Sequence, residues 1–328
     1  MGRVERALEL VSGFSDTELG AFREKLKQLE SALVAAPSAG KPTTNKRAKK
    51  KVRCPRCDSS VVKGHGKYRG RSRYKCLSCD QTFNDLTNTP MAGVHLSEKM
   101  RRFASRMAEG GISLQKCQEE FGISHQTAFD WRHKILKGYT VAPSRKLKGI
   151  AEADETFFLY SEKGSRTISK RRKSRKRGGK AKKAGVSDEQ VPVILGCDRQ
   201  GEMILGVADP GRISLKGIEA VLGNRIDDDA TLCTDSHASF RAFAKANHIK
   251  YRPINVSKGQ RVVQKVFHVQ HANSAHARLK GWIARFRGVS TKHLDSYAQW
   301  FGLMEETKAL SDREAEFTRR SIAQRCRK

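Results

Sequence analysis

The chain has 328 residues, enough for two or three domains, and carries 65 lysines and arginines against 34 aspartates and glutamates. A formal net charge of +31 indicates a polyanionic partner, usually nucleic acid, although a merely basic surface is the alternative. No apolar run approaches the roughly 20 residues that span a bilayer, and acidic residues interrupt the N-terminal apolar stretch, which excludes a secretory signal. We therefore expect a cytoplasmic, nucleoid-associated protein.

Residues 1–36 are predicted to be helical and to be followed by a linker. One short helix fits residues 3–12, and a stronger one begins at Ser15, which forms a capping-box pattern with Glu18. The apolar stripe of this second helix is about two heptads long, which is more typical of intramolecular packing than of an oligomer seam. Residues 37–52 are basic and lack apolar periodicity, as in a flexible linker.

Residues 53–90 contain two CxxC units in the pattern C-x2-C-x18-C-x2-C, a spacing typical of zinc sites. The predicted ligands are Cys54, Cys57, Cys76 and Cys79. Four thiolates close a tetrahedral site, so we predict one structural zinc ion in a zinc ribbon, with a redox pair as the alternative. The other cysteines are predicted to be packing or incidental surface residues: Cys117, Cys197, Cys233 and Cys326.

Residues 97–138 are predicted to form three short helices, the last two in a helix-turn-helix arrangement. Gly110-Gly111 ends the first helix, and Gly122-Ile123 forms the turn before the recognition helix, His125–Leu136. The residues expected to reach base edges are His125, Gln126 and Thr127. A three-helix bundle that makes no DNA contact is the alternative.

From Leu147 onward, the pattern changes to short strands that alternate with helices. Strands are predicted near residues 149–158, 191–198, 202–208, 230–235 and 250–254. Helices are predicted near residues 214–224, 237–247 and 271–287. This order predicts a mixed α/β fold for residues 147–310 and matches the ribonuclease-H-like plan of metal-dependent nucleases.

Three segments of this half, together with the upstream CPRC…CLSC pattern, carry a family resemblance. They are EADETFF at 152–158, TLCTDSHAS at 231–239, and FHVQHANSAHARLKGWIARFRGVSTKHL at 267–294. In their order and combination they resemble the zinc-ribbon insertion-sequence transposases over roughly residues 50–300. The resemblance implies a DNA transposase that binds terminal inverted repeats and catalyses metal-dependent strand cleavage and transfer.

The resemblance places the catalytic positions of the family on Asp154, Asp235, Asn273 and Lys280, with asparagine at the third metal-binding position. Two Mg²⁺ ions about 4 Å apart would activate a water or a 3′-hydroxyl and stabilise the charge on the leaving oxygen. Asp154 would bridge both ions and Asp235 would bind one, while Asn273 offers only a neutral amide oxygen. Lys280 lies about two helical turns after Asn273, on the same helix face, where it could contact phosphate.

Several neighbouring residues are given other roles. Strand alternation directs Glu155 to the face opposite Asp154, so it is left out of the metal site. His268 matches the histidine that precedes the third catalytic position of the family, whereas His271 and His276 are interpreted as surface or packing residues. The reserve carboxylates, should Asn273 not be a ligand, are Glu305 and Glu306.

Residues 170–183 contain ten basic residues in fourteen and are predicted to be an exposed loop that binds the DNA backbone. The proposed contacts are Arg171, Arg172, Lys173, Arg175, Lys176 and Arg177. A solvated loop without a partner is the alternative. Residues 311–328 are predicted to be a basic, frayed tail.

The leading hypothesis is a transposase whose partners are double-stranded DNA, as element ends and as target, and further copies of itself. One alternative is a zinc-ribbon, helix-turn-helix regulator with an inactive nuclease domain. The other is a structure-specific nuclease that has no strand-transfer step.

Overall fold

The computed structural model describes residues 15, 17, 18, 20, 52–139, 146–167, 179–255 and 258–322. Its contacts divide the chain into a unit that ends at Arg53 and a unit from Cys54 to Lys328. In the first unit, the N–H of Ser15 donates to Oε2 of Glu18 at 2.9 Å, which is one half of the predicted capping box. The helix predicted at 3–12, most of the helix after Ser15 and the linker up to residue 51 lie outside the described residues. None of the described helices combines the length and hydrophobicity needed to span a bilayer.

The second unit begins with a small antiparallel sheet. Its strands are β1 (Val62–Tyr68), β2 (Arg71–Cys76) and β3 (Thr82–Phe83), in that spatial order. Nearly every residue of β1 is exposed, and the Tyr74 ring stacks on Phe83 with centroids 5.5 Å apart. So little apolar burial cannot offset the entropy of ordering the ribbon, which is why a metal cross-link is expected here.

Three helices follow, as predicted: α1 (Ser97–Ala108), α2 (Leu114–Phe121) and α3 (His125–Tyr139). The predicted caps are present, because Ser113 Oγ accepts the N–H of Lys116 at 3.2 Å and Ser124 Oγ accepts the N–H of Thr127 at 3.1 Å. Gly122 ends α2 at φ 56°, a left-handed conformation that glycine adopts without steric cost.

The C-terminal half is built on a mixed five-stranded sheet, which confirms the α/β prediction. The strands are β4 (Ile150–Leu159), β5 (Gln190–Asp198), β6 (Met203–Val207), β7 (Thr231–Asp235) and β8 (Lys250–Ile254). Their spatial order is β6-β5-β4-β7-β8. The pairs β4–β5 and β5–β6 are antiparallel, whereas β4–β7 and β7–β8 are parallel. The central strand β4 carries the EADETFF segment.

Helices cover both faces of this sheet. One face packs against α4 (Leu215–Leu222) and α5 (Ala238–Ala246), and the other against α6 (Gln270–Ala284) and α7 (Thr291–Thr307). Strand alternation separates the two cores: Phe157 packs with the α4 and α5 side, and Phe158 packs with the α6 and α7 side.

The helices predicted as a separate DNA-binding domain share a hydrophobic core with the C-terminal half. The indole N–H of Trp300 donates to the carbonyl of Met107 at 3.2 Å, and that of Trp282 donates to the carbonyl of Gly110 at 2.8 Å. Gly111 has φ 80°, and a Cβ there would lie 2.7 Å from the Trp300 ring. Trp300 of α7 therefore packs directly against the glycine break between α1 and α2. These contacts hold α1–α3 against α6 and α7.

The structure corrects the prediction of a frayed tail over residues 313–322. These residues form α8 (Arg313–Ile322), in which Phe317 is fully buried in the shared core. Arg320 pairs with Glu306 at 2.9 Å and also with Glu316. The high charge of the segment suggested a solvated end, but one apolar face anchors it; residues 323–328 lie outside the described part.

Candidate active site

A cleft of about 510 Å³ opens beside the middle of β4 and the end of β7, and three of the four predicted catalytic residues line it. They are Asp154 on β4, Asp235 at the end of β7 and Asn273 in the first turn of α6. Glu152 pairs with Cys233 in the parallel β4–β7 ladder, and Asp154 and Asp235 each follow that pair by two residues, which places the two aspartates side by side. The cleft is completed by Ser236, His237, Ile254, Asn255 and Val269.

The surroundings of Asp235 disfavour the ionised form of its carboxyl group. Its Oδ1 accepts the N–H of His237 at 3.2 Å, which fixes the carboxylate at the start of α5. Burial nevertheless raises the pKa of Asp235, and the charge of Asp154 adds to that effect. A carboxylate whose pKa is raised by burial and by a neighbouring carboxylate is typical of a functional site.

Glu155 was excluded from the metal site on strand alternation, and it does not line the cleft, but the structure places its carboxylate close to those of Asp154 and Asp235. Its side chain does leave β4 on the opposite face, but one carboxylate oxygen from each of Asp154, Glu155 and Asp235 lies within 4.8 Å of the others. The pairing of β4 with β7 ends at Glu152, and β7 itself ends at Asp235. Burial, followed by the charges of Asp154 and Asp235, raises the pKa of Glu155 to about 7.

His276 on α6 is buried, as a packing residue would be, but it also contacts the carboxylate of Asp154. Its Nδ1 lies 3.3 Å from Oδ2 of Asp154. The side chain is only 8% exposed, so the ring is held rigidly against that oxygen. We interpret His276 as a residue that orients Asp154.

Glu152, two residues before Asp154, is 1% exposed and anchors the start of α6. Its Oε2 accepts the backbone N–H groups of His271, at 2.8 Å, and Ala272, at 3.2 Å. Unpaired N–H groups at a helix N-terminus favour a carboxylate. Because Asn273 follows directly, the same contact sets where Asn273 enters the cleft.

A cationic side chain completes the Glu152 cluster. Arg199 Nη2 lies 3.0 Å from Oε1 of Glu152, and Nδ1 of His268 and of His271 lie 3.3 and 2.8 Å from the same oxygen. Glu152, His268 and His271 have a geometry that could hold a metal ion. The Arg199 guanidinium already supplies the positive charge, so we assign the cluster to the support of α6.

Replacing Glu152 with alanine is expected to lower the free energy of unfolding by about 3 kcal/mol, because it removes the carboxylate that pairs with Arg199 and accepts two helix N–H groups. Denaturant unfolding of the zinc-loaded protein measures this loss. Glu98→Ala, at an exposed position on α1, is the control, with an expected change within about 0.5 kcal/mol. A loss below 1 kcal/mol for Glu152→Ala would contradict the assigned role.

The remaining predicted catalytic positions lie outside the cleft. Lys280 is exposed on α6 and does not line the cleft. The reserve carboxylates are engaged elsewhere: Glu305 pairs with Arg278 at 2.8 Å, and Glu306 pairs with Arg320. Neither glutamate lines the cleft, so Asn273 is the only residue of the late segment 270–307 that does.

The four cysteines of the CxxC units converge as predicted. Sγ of Cys54 lies 3.7 Å from Sγ of Cys79, and Sγ of Cys57 lies 3.6 Å from Sγ of Cys76. A tetrahedral zinc ion with Zn–S bonds of about 2.3 Å requires sulfur separations of about 3.8 Å. The cluster therefore has the dimensions of a zinc site.

The predicted DNA-contacting residues are only partly described. His125 and Gln126 are exposed at the start of α3, whereas Thr127 is half-buried and lies beside Ser124. The six basic residues proposed between 171 and 177 lie outside the described part. Three of the isolated cysteines are buried, in agreement with a packing role: Cys117, Cys197 and Cys233. Cys326 is not described.

Comparison with known proteins gives a family match for the half that contains the cleft. Residues 146–305 match the family described as ISXO2-like transposase domain. A protein from Halobacterium salinarum, named "Uncharacterized protein in transposable element ISH50", is 27% identical over 269 residues, which cover 80% of this chain and 88% of that protein.

Among solved structures, the pre-cleavage Mos1 transpososome and the Mos1 strand transfer complex are each 10% identical, with TM-scores of 0.23. They cover 67% and 66% of this chain, and 77% of each of those chains. Similarity at that level establishes neither a common fold nor a common function.

Proposed function

We propose that this protein is a DNA transposase that binds the terminal inverted repeats of an insertion sequence and catalyses metal-dependent strand cleavage and strand transfer. The observation that carries the proposal is the convergence of Asp154, Asp235 and Asn273 on one cleft, within a segment that matches a transposase domain family. The strand order β6-β5-β4-β7-β8 is also consistent with a ribonuclease-H-like catalytic domain.

The residues of the cleft fit a divalent cation. Carboxylate oxygens lie within 4.8 Å of one another, and Mg²⁺ prefers oxygen ligands. Two bound Mg²⁺ ions would supply activation of water or a 3′-hydroxyl and stabilisation of charge on the phosphate oxygens. Asp154 and Asp235 provide the negative charge, Asn273 adds an amide oxygen, and His276 and Glu152 hold these groups in place.

The N-terminal elements provide the DNA-binding surface in this proposal. The ribbon carries one zinc ion on its four cysteines and presents basic side chains along β1 and β2, where Arg69 and Arg73 lie over Tyr68 at 5.4 and 6.0 Å. Helix α3 presents His125 and Gln126 to base edges, and the basic insert 170–183 contacts phosphates. Because α1–α3 share a core with α6 and α7, the recognition helix keeps a fixed position relative to the cleft.

A strand-transfer assay tests the proposal with DNA of the element's ends, a target duplex and Mg²⁺. Joining of a 3′ end to the target supports the transposase. Cutting without joining would indicate a nuclease, and tight binding without either reaction would indicate a regulator with an inactive catalytic half. Joining two ends requires at least two active sites, so the protein is also proposed to act as a homo-oligomer on DNA.

The role of Asn273 is tested by two substitutions. Asn273→Ala is expected to reduce cleavage by about 10²-fold, since it removes one positioned oxygen at the reacting centre. Asn273→Glu is expected to retain more activity than Asn273→Ala, because a carboxylate restores the oxygen and adds charge. Single-turnover cleavage at saturating DNA measures both. Wild-type activity in Asn273→Ala would remove the residue from the site.

A further inference from the structure

Two glutamates on β4 lie in buried surroundings and differ in how their charges are compensated. Glu152 contacts Arg199, two histidine rings and two backbone N–H groups. Glu155, three residues later, has a buried Oε2 that finds no hydrogen-bond partner among the described residues. The first carboxylate is therefore fully compensated by the protein, and the second is not.

The surroundings of Glu155 add negative charge instead of removing it. One carboxylate oxygen of Glu155 lies within 4.8 Å of a carboxylate oxygen of Asp154 and of Asp235. No lysine or arginine is among the described residues that line the cleft. A buried carboxylate beside two others is costly unless a cation binds there.

We propose that Glu155 is a third acidic ligand of the cation site, reaching it from the face of β4 opposite Asp154. This inference rests on the proposed function, because it takes the cleft to be a Mg²⁺ site. The Glu155 carboxylate can reach the site from that face because β7 ends at Asp235 and does not pair with β4 beyond Glu152. Glu155 continues to pair with Ile194 of β5, which fixes its backbone at the edge of the cleft.

A third carboxylate would also supply the negative charge that the neutral side chain of Asn273 does not bring to the site. Two aspartates and the neutral amide of Asn273 bring two negative charges to two divalent ions. Glu155 raises this to three, the charge that a glutamate in place of Asn273 would otherwise supply. The adjacent acidic pair Asp154-Glu155 thus replaces a carboxylate that α6 does not provide.

Calorimetric titration of Mn²⁺ into the zinc-loaded full-length protein, without DNA, tests this inference. Glu155→Gln is isosteric and is expected to bind Mn²⁺ about 10- to 100-fold more weakly than wild type, by comparison with the loss of supporting metal contacts. Glu98→Gln, on the exposed side of α1, is the matched control and should bind as wild type does. Asp154→Asn and Asp235→Asn should lose the site.

Thermal unfolding gives a second readout that separates a ligand from a structural residue. In buffer without added divalent cations, Glu155→Gln should be at least as stable as wild type, since it removes a repulsive charge, and Mg²⁺ should raise its Tm less. A destabilised variant with an undiminished Mg²⁺ shift would overturn the inference. Wild-type Mn²⁺ affinity in Glu155→Gln, with loss in Asp154→Asn, would also overturn it while leaving the proposed function intact. Retained affinity in all three variants would reject the metal site itself.

Discussion

Replacement of Asp154 or Asp235 by asparagine is expected to reduce DNA strand cleavage by at least about 10³-fold while leaving DNA binding nearly unchanged. Each substitution keeps the size of the side chain and removes one of the negative charges that line the cleft. A metal ion contributes several kcal/mol to transition-state stabilisation, and each 1.36 kcal/mol corresponds to a factor of ten in rate. Losing the ion therefore removes most of the chemistry.

Single-turnover cleavage and a gel-shift titration on the same end DNA measure the two effects separately. Asp228→Asn is the matched control, because Asp228 is exposed on the turn before β7. Its ion pair with Lys146 is long, at 3.8 Å. It should cleave as wild type does. If DNA binding fell in parallel with cleavage in the Asp154 and Asp235 variants, the aspartates would be supporting the fold and not the chemistry.

Asp154 and Asp235 were predicted from the family resemblance of the short motifs that contain them. The structure places Asp154 in the middle of β4 and Asp235 at the end of β7, and it brings their carboxylates together. The proximity of Glu155 was not predictable from strand alternation. Alternation gives the direction of a side chain, but it does not reveal where a neighbouring strand ends and lets the two faces meet.

The supporting residues of the site were missed for a different reason. Glu152 bonds to backbone groups of His271, which is 119 positions away, and His276 contacts Asp154 across a similar separation. No local pattern encodes such pairs. The available signal was the polar character of Glu152 and Asp154 on a face of β4 that otherwise packs into a core, since a buried charge requires a partner.

Hydrophobic periodicity did not predict helix α7 near the C-terminus. α7 was not predicted, because its buried residues Tyr297, Trp300, Phe301 and Met304 leave no clean polar face. It lies between the sheet and α3, so it is buried on several sides. The shared core that results could not be deduced from the predicted domain boundaries, which treated residues 97–138 as a separate unit.

Replacement of Cys54 by serine is expected to abolish zinc binding and to unfold the ribbon. Metal binding supplies about 10–16 kcal/mol to small zinc domains, which is far more than the few buried apolar groups of β1–β3 can provide. The α/β half has its own core and should stay folded. Metal analysis of the purified protein should show the loss of one zinc per chain, and limited proteolysis should show cleavage within residues 54–90 that is absent from the wild-type protein.

Ser78→Ala provides the matched control for this experiment, because it lies within the second CxxC unit but contributes no thiolate. Its hydroxyl bonds to Ser59 Oγ at 2.7 Å, so its loss should leave zinc content unchanged. End-DNA affinity should fall in Cys54→Ser and persist in Ser78→Ala, because only an ordered ribbon holds the Tyr68 hairpin and its arginines in a single arrangement. A ribbon that resisted proteolysis after chelation would show that its hairpin is stable without metal. An unchanged affinity of Cys54→Ser would place end recognition on α3 and the basic insert alone.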